Sequence, residues 1–143
     1  MKRIINKMLR MALKTSTAIA KPSQGAIDEK ISENLRLWID SKAFCRQNET
    51  IPKVAEQLGV SPESLSYYCT HVLGEHFSTF RKKLRMEEAK SLIRKNPDAP
   101  IADIAVSVGI PDKANFRRQF YECFGFPPSE WRKRCKVLRM MHL

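Results

Sequence analysis

Two stretches decide the fold: Ile51-Pro-Lys-Val-Ala-Glu-Gln-Leu-Gly59 and Ile101-Ala-Asp-Ile-Ala-Val-Ser-Val-Gly109. Aligned on their glycines, both read apolar-x-x-apolar-Ala-x-x-apolar-Gly. The three- and four-residue spacing puts the apolar positions on one helical face, and the glycine permits the left-handed backbone that ends a helix. A short turn and a second helix follow each glycine. The first of these helices opens at Ser61-Pro62, a capping hydroxyl followed by proline at the first helical position. The other opens near Pro111-Asp112. Leu65 lies nine residues before Gly74 and Phe116 nine before Gly125, and Phe80-Arg81 and Trp131-Arg132 again fall at matching offsets. The repeat period is 50–51 residues. Two copies of short helix, glycine turn and second helix make two helix-turn-helix units.

Projection at about 100° per residue separates inside from outside. Leu65, Tyr68, Cys69 and Val72 share one stripe and are expected in the core, with Glu63, Tyr67 and Thr70 opposite. In the second unit Phe116, Gln119, Phe120 and Cys123 form the inner stripe. Ala114, Arg118 and Tyr121 face away, Arg117 lies at the flank, and Lys113 sits in the first turn. Between the units, Phe77 to Lys95 contains no Gly or Pro and stops at Asn96-Pro97. Such a helix spans roughly 28 Å, enough to hold two reading helices near one DNA turn, ~34 Å, apart. It carries two apolar stripes, one with Phe77, Phe80, Leu84 and Leu92 and the other with Met86, Ala89 and Ile93. Each is expected to dock one unit. An earlier helix with Ile31, Leu35, Trp38 and Ile39 completes the expected core. The fold expected is all-α, about seven helices, in two homeodomain-like helix-turn-helix subdomains joined by a long linker helix. Their limits are about 50–74 and 101–125, with the linker at about 77–95.

The 143 residues carry 26 Lys+Arg against 15 Asp+Glu, a formal charge of +11. Residues 1–25 contribute +6 with no acid, residues 26–75 contribute −3, and residues 76–143 contribute +8. A polyanion is the partner this balance favours. No apolar run approaches the ~20 residues of a membrane-spanning helix. The N-terminal stretch MKRIINKMLRMALKTSTAIA lacks the apolar core and cleavage site of a secretory signal. It is open to three readings: a basic amphipathic helix, a frayed tail, or the remnant of a longer N-terminal region. Residues 1–25 are expected to be a flexible basic tail closed by a Lys21-Pro22-Ser23-Gln24-Gly25 linker, and 26–143 the folded domain. The four cysteines (Cys45, Cys69, Cys123, Cys135) form no CxxC pair or zinc pattern. They read as reduced, small apolar residues in a cytoplasmic protein.

The second unit, Ile101-Ala-Asp-Ile-Ala through Gly109-Ile-Pro-Asp, then Phe116-Arg-Arg-Gln-Phe120 and Gly125-Phe-Pro-Pro-Ser-Glu-Trp-Arg132, resembles the DNA-binding domain of the AraC/XylS family of bacterial transcription regulators. The linker's Leu84-Arg-Met-Glu-Glu-Ala89 is similar to that family's basic-Leu-x-x-Ala stretch. The resemblance covers about residues 31–134. Cys69 and Ile110 stand where the family usually has Phe, Tyr121 replaces a common Lys, and Pro100 takes the place of a Ser or Thr cap. The resemblance implies a sequence-specific regulator that binds double-stranded operator or promoter DNA through two recognition helices in the major groove, with RNA polymerase as a further partner. By the same resemblance, base-reading positions fall on Glu63, Ser64 and Tyr67 in the first unit and on Lys113, Ala114 and Arg118 in the second. Arg118 suits guanine O6/N7, and Glu63 suits cytosine N4. Lys82, Lys83, Arg117, Arg132 and Lys133 are candidates for phosphate contact. Only about 30 residues precede the first core helix, so the chain reads either as a short stand-alone regulator or as the output end of a longer protein.

No cofactor or metal is expected, and no catalysis. His71-Val-Leu-Gly-Glu75-His76 is H-x-x-x-E-H, one residue longer than the inverted zinc motif, and Gly74 breaks the helix that such ligands need. The sequence has no Gly-rich phosphate loop and no nucleophile elbow. The alternative is a protein-interaction module that retains the fold without specific DNA binding, a reading to which the acidic residues 26–75 lend force. Non-specific RNA or nucleoid binding is a third. The oligomeric state, the operator, the effector and the activator or repressor sign are not encoded in any of these patterns.

Overall fold

The computed structural model describes residues 22–141, and among them the chain forms seven α-helices and no strand. They are α1 (Pro22–Asp40), α2 (Ile51–Leu58), α3 (Pro62–Tyr68), α4 (Phe77–Lys95), α5 (Ile101–Ser107), α6 (Lys113–Phe124) and α7 (Pro128–Met141). A 3-10 turn at Ala43–Cys45 follows α1, and a π-helical turn at Cys69–Leu73 continues α3. The segment 22–25, expected to be a linker, is instead the first turn of α1. Proline fits a helix's first position, and Gln24 Nε2 donates to the buried Asp28 one turn on, at 3.0 Å. The rest of the expected tail lies outside the described residues. None of the described helices is long and apolar enough to cross a membrane.

The glycine repeat is a backbone repeat. At the end of α2 the Gly59 N–H donates to Glu56 O (3.0 Å) and the Val60 N–H to Ala55 O (3.0 Å). After α5 the Gly109 N–H donates to Val106 O (3.0 Å) and the Ile110 N–H to Ala105 O (2.9 Å). Both are the same paired closure, which satisfies carbonyls a helix end would otherwise orphan, with the glycine in the left-handed region. The N-termini differ. Thr50 caps α2, Ser61 caps α3 and Asp112 caps α6 through their side chains, whereas Pro100 leads into α5 with no side-chain bond.

The chain divides into two units, residues up to Ala43 with Asn48–Arg81, and Phe44–Gln47 with Lys82 to the C-terminus. In the first, Ile31, Leu35, Trp38 and Ile39 of α1 are buried, as are Val54, Ala55, Leu58, Leu65, Tyr68, Cys69, Phe77 and Phe80. The α1 side chains Lys30 and Asn34 close the end of α2, donating to Gly59 O and Leu58 O at 2.8 Å each. Trp38 packs on Phe77 with centroids 5.7 Å apart. Val72, expected in the core, is half-buried, on the π turn where the 3.6-residue projection no longer holds.

In the second unit Met86, Ala89 and Ile93 of α4 pack with Ile104, Ala105, Val108, Ile110, Phe116 and Phe120. Leu92, expected on the other stripe, joins this cluster, because it follows Ala89 by three residues and so shares its side of the helix. Trp131 is half-buried, and its Nε1–H donates to Lys90 O at 2.9 Å. The short segment from before α2 is pinned here by Arg85, which donates to Phe44 O (2.6 Å) and Arg46 O (2.8 Å).

Candidate nucleic-acid interface

An amphipathic helix that buries one stripe must show the other to solvent. Leu65, Tyr68 and Cys69 bury the inner stripe completely, which leaves Glu63, Ser66, Tyr67 and Thr70 exposed along the other side. Burial pushes the Tyr68 phenol up from its ordinary pKa, while the Ser32 hydroxyl opposes that shift. Tyr67 is 46% exposed despite its large ring. Ser64 is placed otherwise: its N–H donates to the Ser61 cap at 3.1 Å and its hydroxyl accepts from the Ser61 hydroxyl at 2.9 Å. The outward serine of α3 is Ser66, nearly one turn after Glu63. Its signal was present in the sequence as the spacing 63, 66, 67, 70.

On α6, Phe116 and Phe120 are fully buried, and Lys113, Ala114, Arg117, Arg118 and Tyr121 are exposed. Asp112 accepts the Asn115 N–H at 2.7 Å, and the Asn115 Oδ1 accepts from Arg118 Nη2 at 2.7 Å and from Gln119 Nε2 at 3.1 Å. Arg118 keeps 70% of its side chain in solvent. Glu122, the acid within α6, is bonded to Lys82 Nζ at 2.6 Å, with Arg118 Nε 4.0 Å from its other oxygen. The Lys82 ammonium, and more weakly Arg118, hold that carboxyl below its usual pKa. Glu122 is thus paired with Lys82 and flanked by Arg118, while Lys113, Arg117 and Arg118 stay exposed.

The phosphate candidates separate in the same way. Arg117 and Lys133 are exposed, and Lys83 is exposed as well. Lys82 is engaged by Glu122, and Arg132 is half-buried with Nη2 donating to Ala99 O just before α5. Sequence spacing could not reveal the engagement of Lys82 and Arg132, because each partner lies more than thirty residues away. All four cysteines are free thiols. The motif His71–His76 straddles a break: Gly74 takes φ +80° and ends the π turn. Among the described residues no group of three or more His, Cys, Asp and Glu side chains could hold a metal ion.

A family model described as a helix-turn-helix domain matches residues 54–134, from within α2 to within α7. The arabinose operon regulatory protein of Escherichia coli (strain K12) is 30% identical over 132 residues, covering 92% of this chain and 44% of that protein. The chain thus spans less than half the length of the curated relatives it matches. Among solved structures, the C-terminal domain of AraT, a response regulator from Geobacillus stearothermophilus, aligns with a TM-score of 0.62 at 30% identity, covering 80% of this chain and 86% of that one. A transcriptional regulator described among AraC-type DNA-binding domain-containing proteins, from Chromobacterium violaceum, shares the fold with a TM-score of 0.66 at 22% identity, covering 75% and 92%. With that match covering more than half of the chain and both glycine closures formed, the chain belongs to the AraC/XylS family.

Proposed function

We propose that the chain is a sequence-specific DNA-binding transcriptional regulator, or the DNA-reading part of one, in which α3 and α6 each enter the major groove. The observation that carries this reading is the outward face of α6. It exposes Lys113, Arg117 and Arg118 while its own acid is engaged by Lys82. In this reading Arg118 donates to guanine O6 and N7, Lys113 to a neighbouring acceptor, and the small Ala114 meets a thymine methyl. On α3, Glu63 accepts from cytosine N4, with Tyr67 and Ser64, or its outward neighbour Ser66, beside it. Lys82, Lys83, Arg117, Arg132 and Lys133 neutralise phosphates, Lys82 and Arg132 by exchanging the partners Glu122 and the Ala99 carbonyl for DNA. The folded domain begins with α1 at Pro22, and the basic residues 1–21 add non-specific affinity. The setting is cytoplasmic, RNA polymerase is the further partner, and no catalysis is involved.

The experiment is a gel shift with the intact chain over a range of salt, challenged by unrelated duplex. Binding that resists the unrelated competitor supports sequence-specific regulation. Equal competition makes the protein a general nucleic-acid binder, and no binding makes it a protein-interaction module.

A further inference from the structure

His71 follows Tyr67 by one helical turn, and the two rings stack with centroids 4.0 Å apart and an interplanar angle of 18°. The imidazole is held from its other edge as well. Its Nδ1 lies 3.1 Å from the Tyr67 carbonyl oxygen and 3.0 Å from Thr70 Oγ1. A carbonyl oxygen only accepts, so Nδ1 carries the ring proton. The Thr70 hydroxyl gives its own hydrogen to Ser66 O at 3.0 Å, which leaves its lone pairs facing that same Nδ1–H. In the neutral ring Nε2 is then a bare acceptor. His71 is exposed, as is Tyr67, on adjoining positions of the outward side. The π turn from Cys69 to Leu73, closed by Gly74, fixes the backbone from which His71 projects, and such turns recur at functional sites.

We infer that His71, on the π turn that continues α3, is a further specificity-determining residue of the first unit, its Nε2 accepting a hydrogen bond from the exocyclic amine of adenine or cytosine in the major groove. The inference rests on the reading of α3 as a DNA-reading helix. Chemistry sets the direction of the preference. In the major groove adenine and cytosine each present an amine donor, whereas guanine and thymine present only acceptors, which would meet Nε2 lone pair to lone pair. A phosphate is an acceptor too and is disfavoured for the same reason.

The test is selection of bound sequences from randomised duplexes at neutral pH and fixed salt, with the intact chain and with His71→Phe. Phenylalanine keeps a ring to stack on Tyr67 and lacks Nε2. Because His71 is exposed, the variant is expected to fold, with circular dichroism as the check and His71→Ala as the second variant. The expected result is one position where the wild type favours adenine or cytosine about three- to tenfold, the worth of one neutral hydrogen bond. That position becomes even in the variant, and the other positions are unchanged. Identical preferences in the two proteins overturn the assignment of His71 while leaving the DNA-reading assignment intact. A uniform loss of affinity with a shallower salt dependence also overturns it, by making His71 a cationic phosphate contact. A wild type that selects no sequence overturns the reading of α3 and the role of His71 with it.

Discussion

Replacing Gly109 with alanine probes the join between the glycine turn and the segment that precedes α2. Gly109 sits at φ +87°, and a Cβ there lies 2.4 Å from the Cys45 carbonyl oxygen and 3.0 Å from its carbon. The neighbour is backbone, and Arg85 pins the carbonyls on either side of it, at Phe44 and Arg46. It has little room to move. Left-handed backbone costs a non-glycine residue about 1–2 kcal/mol, and forced overpacking adds about 1–3 kcal/mol. The expected loss is therefore about 2–5 kcal/mol, against a domain stability of about 5–15 kcal/mol. Gly125 supplies the control: its φ is +78°, yet nothing lies within 4 Å of its Cβ position. Gly125→Ala should show the backbone cost alone. Urea unfolding followed by Trp131 fluorescence, in a Trp38→Phe background, reports on the second unit. Gly109→Ala should lower the midpoint further than Gly125→Ala, by the overpacking cost. Equal losses for the two alanines would refute the close approach to Cys45.

Phe120 is fully buried with Phe116, Phe124 and Phe126 around it at centroid distances of 6.0, 4.7 and 6.2 Å. Phe120→Ala should cost about 3–5 kcal/mol in the same urea assay, and a loss under about 1 kcal/mol would place Phe120 outside the core. Desolvation, aided by the Glu75 carboxylate, pushes the Cys69 thiol from its ordinary 9.0 up to about 12. The folded chain then holds a proton that the unfolded chain releases. The stabilisation is complete below about pH 9 and is lost as pH rises toward 12. Stability of Cys69→Ala should fall less steeply over that range, and an unchanged slope would refute the linkage. Deleting residues 1–21, which hold six Lys and Arg and no acid, should make the salt dependence of DNA binding shallower, by about 0.9 for each phosphate the stretch neutralises. Base preferences should be unchanged, and an altered consensus would show that this stretch reads a groove.

Local chemistry carried much of this architecture in plain view. The shared apolar-x-x-apolar-Ala-x-x-apolar-Gly pattern foretold both helix closures, because an i,i+3,i+4 face and a left-handed glycine are properties of contiguous residues. Phe77 to Lys95 was legible for the same reason, bounded by Asn96-Pro97 and free of breakers within. The features that escaped depend on partners distant in sequence. Nothing near Cys45 signals that its carbonyl abuts Gly109, nor does anything beside Lys82 and Arg132 reveal their engagement with Glu122 and the Ala99 carbonyl. Two further differences are local but subtle. Ser64 is drawn into the Ser61 cap, which passes the outward position to Ser66, and the π turn after Tyr68 rotates Val72 away from a strict 3.6-residue projection. The start of α1 at Pro22 was hidden by a Pro-Ser-Gln-Gly composition that serves equally for a linker and for a helix N-terminus.

The central claim is that two helix-turn-helix units read DNA and that the second is the anchor. It is tested most directly by the affinity of the intact chain, Arg118→Ala and Tyr67→Ala for one selected duplex at fixed salt. A bidentate guanine contact discriminates by about 1–3 kcal/mol, so Arg118→Ala should weaken binding by roughly that amount and relax the preference at one base position. Tyr67→Ala, on a helix whose only formally charged residue is Glu63, should cost less. A larger loss for Tyr67→Ala, or an Arg118→Ala variant that binds with unchanged affinity and preference, would contradict the account.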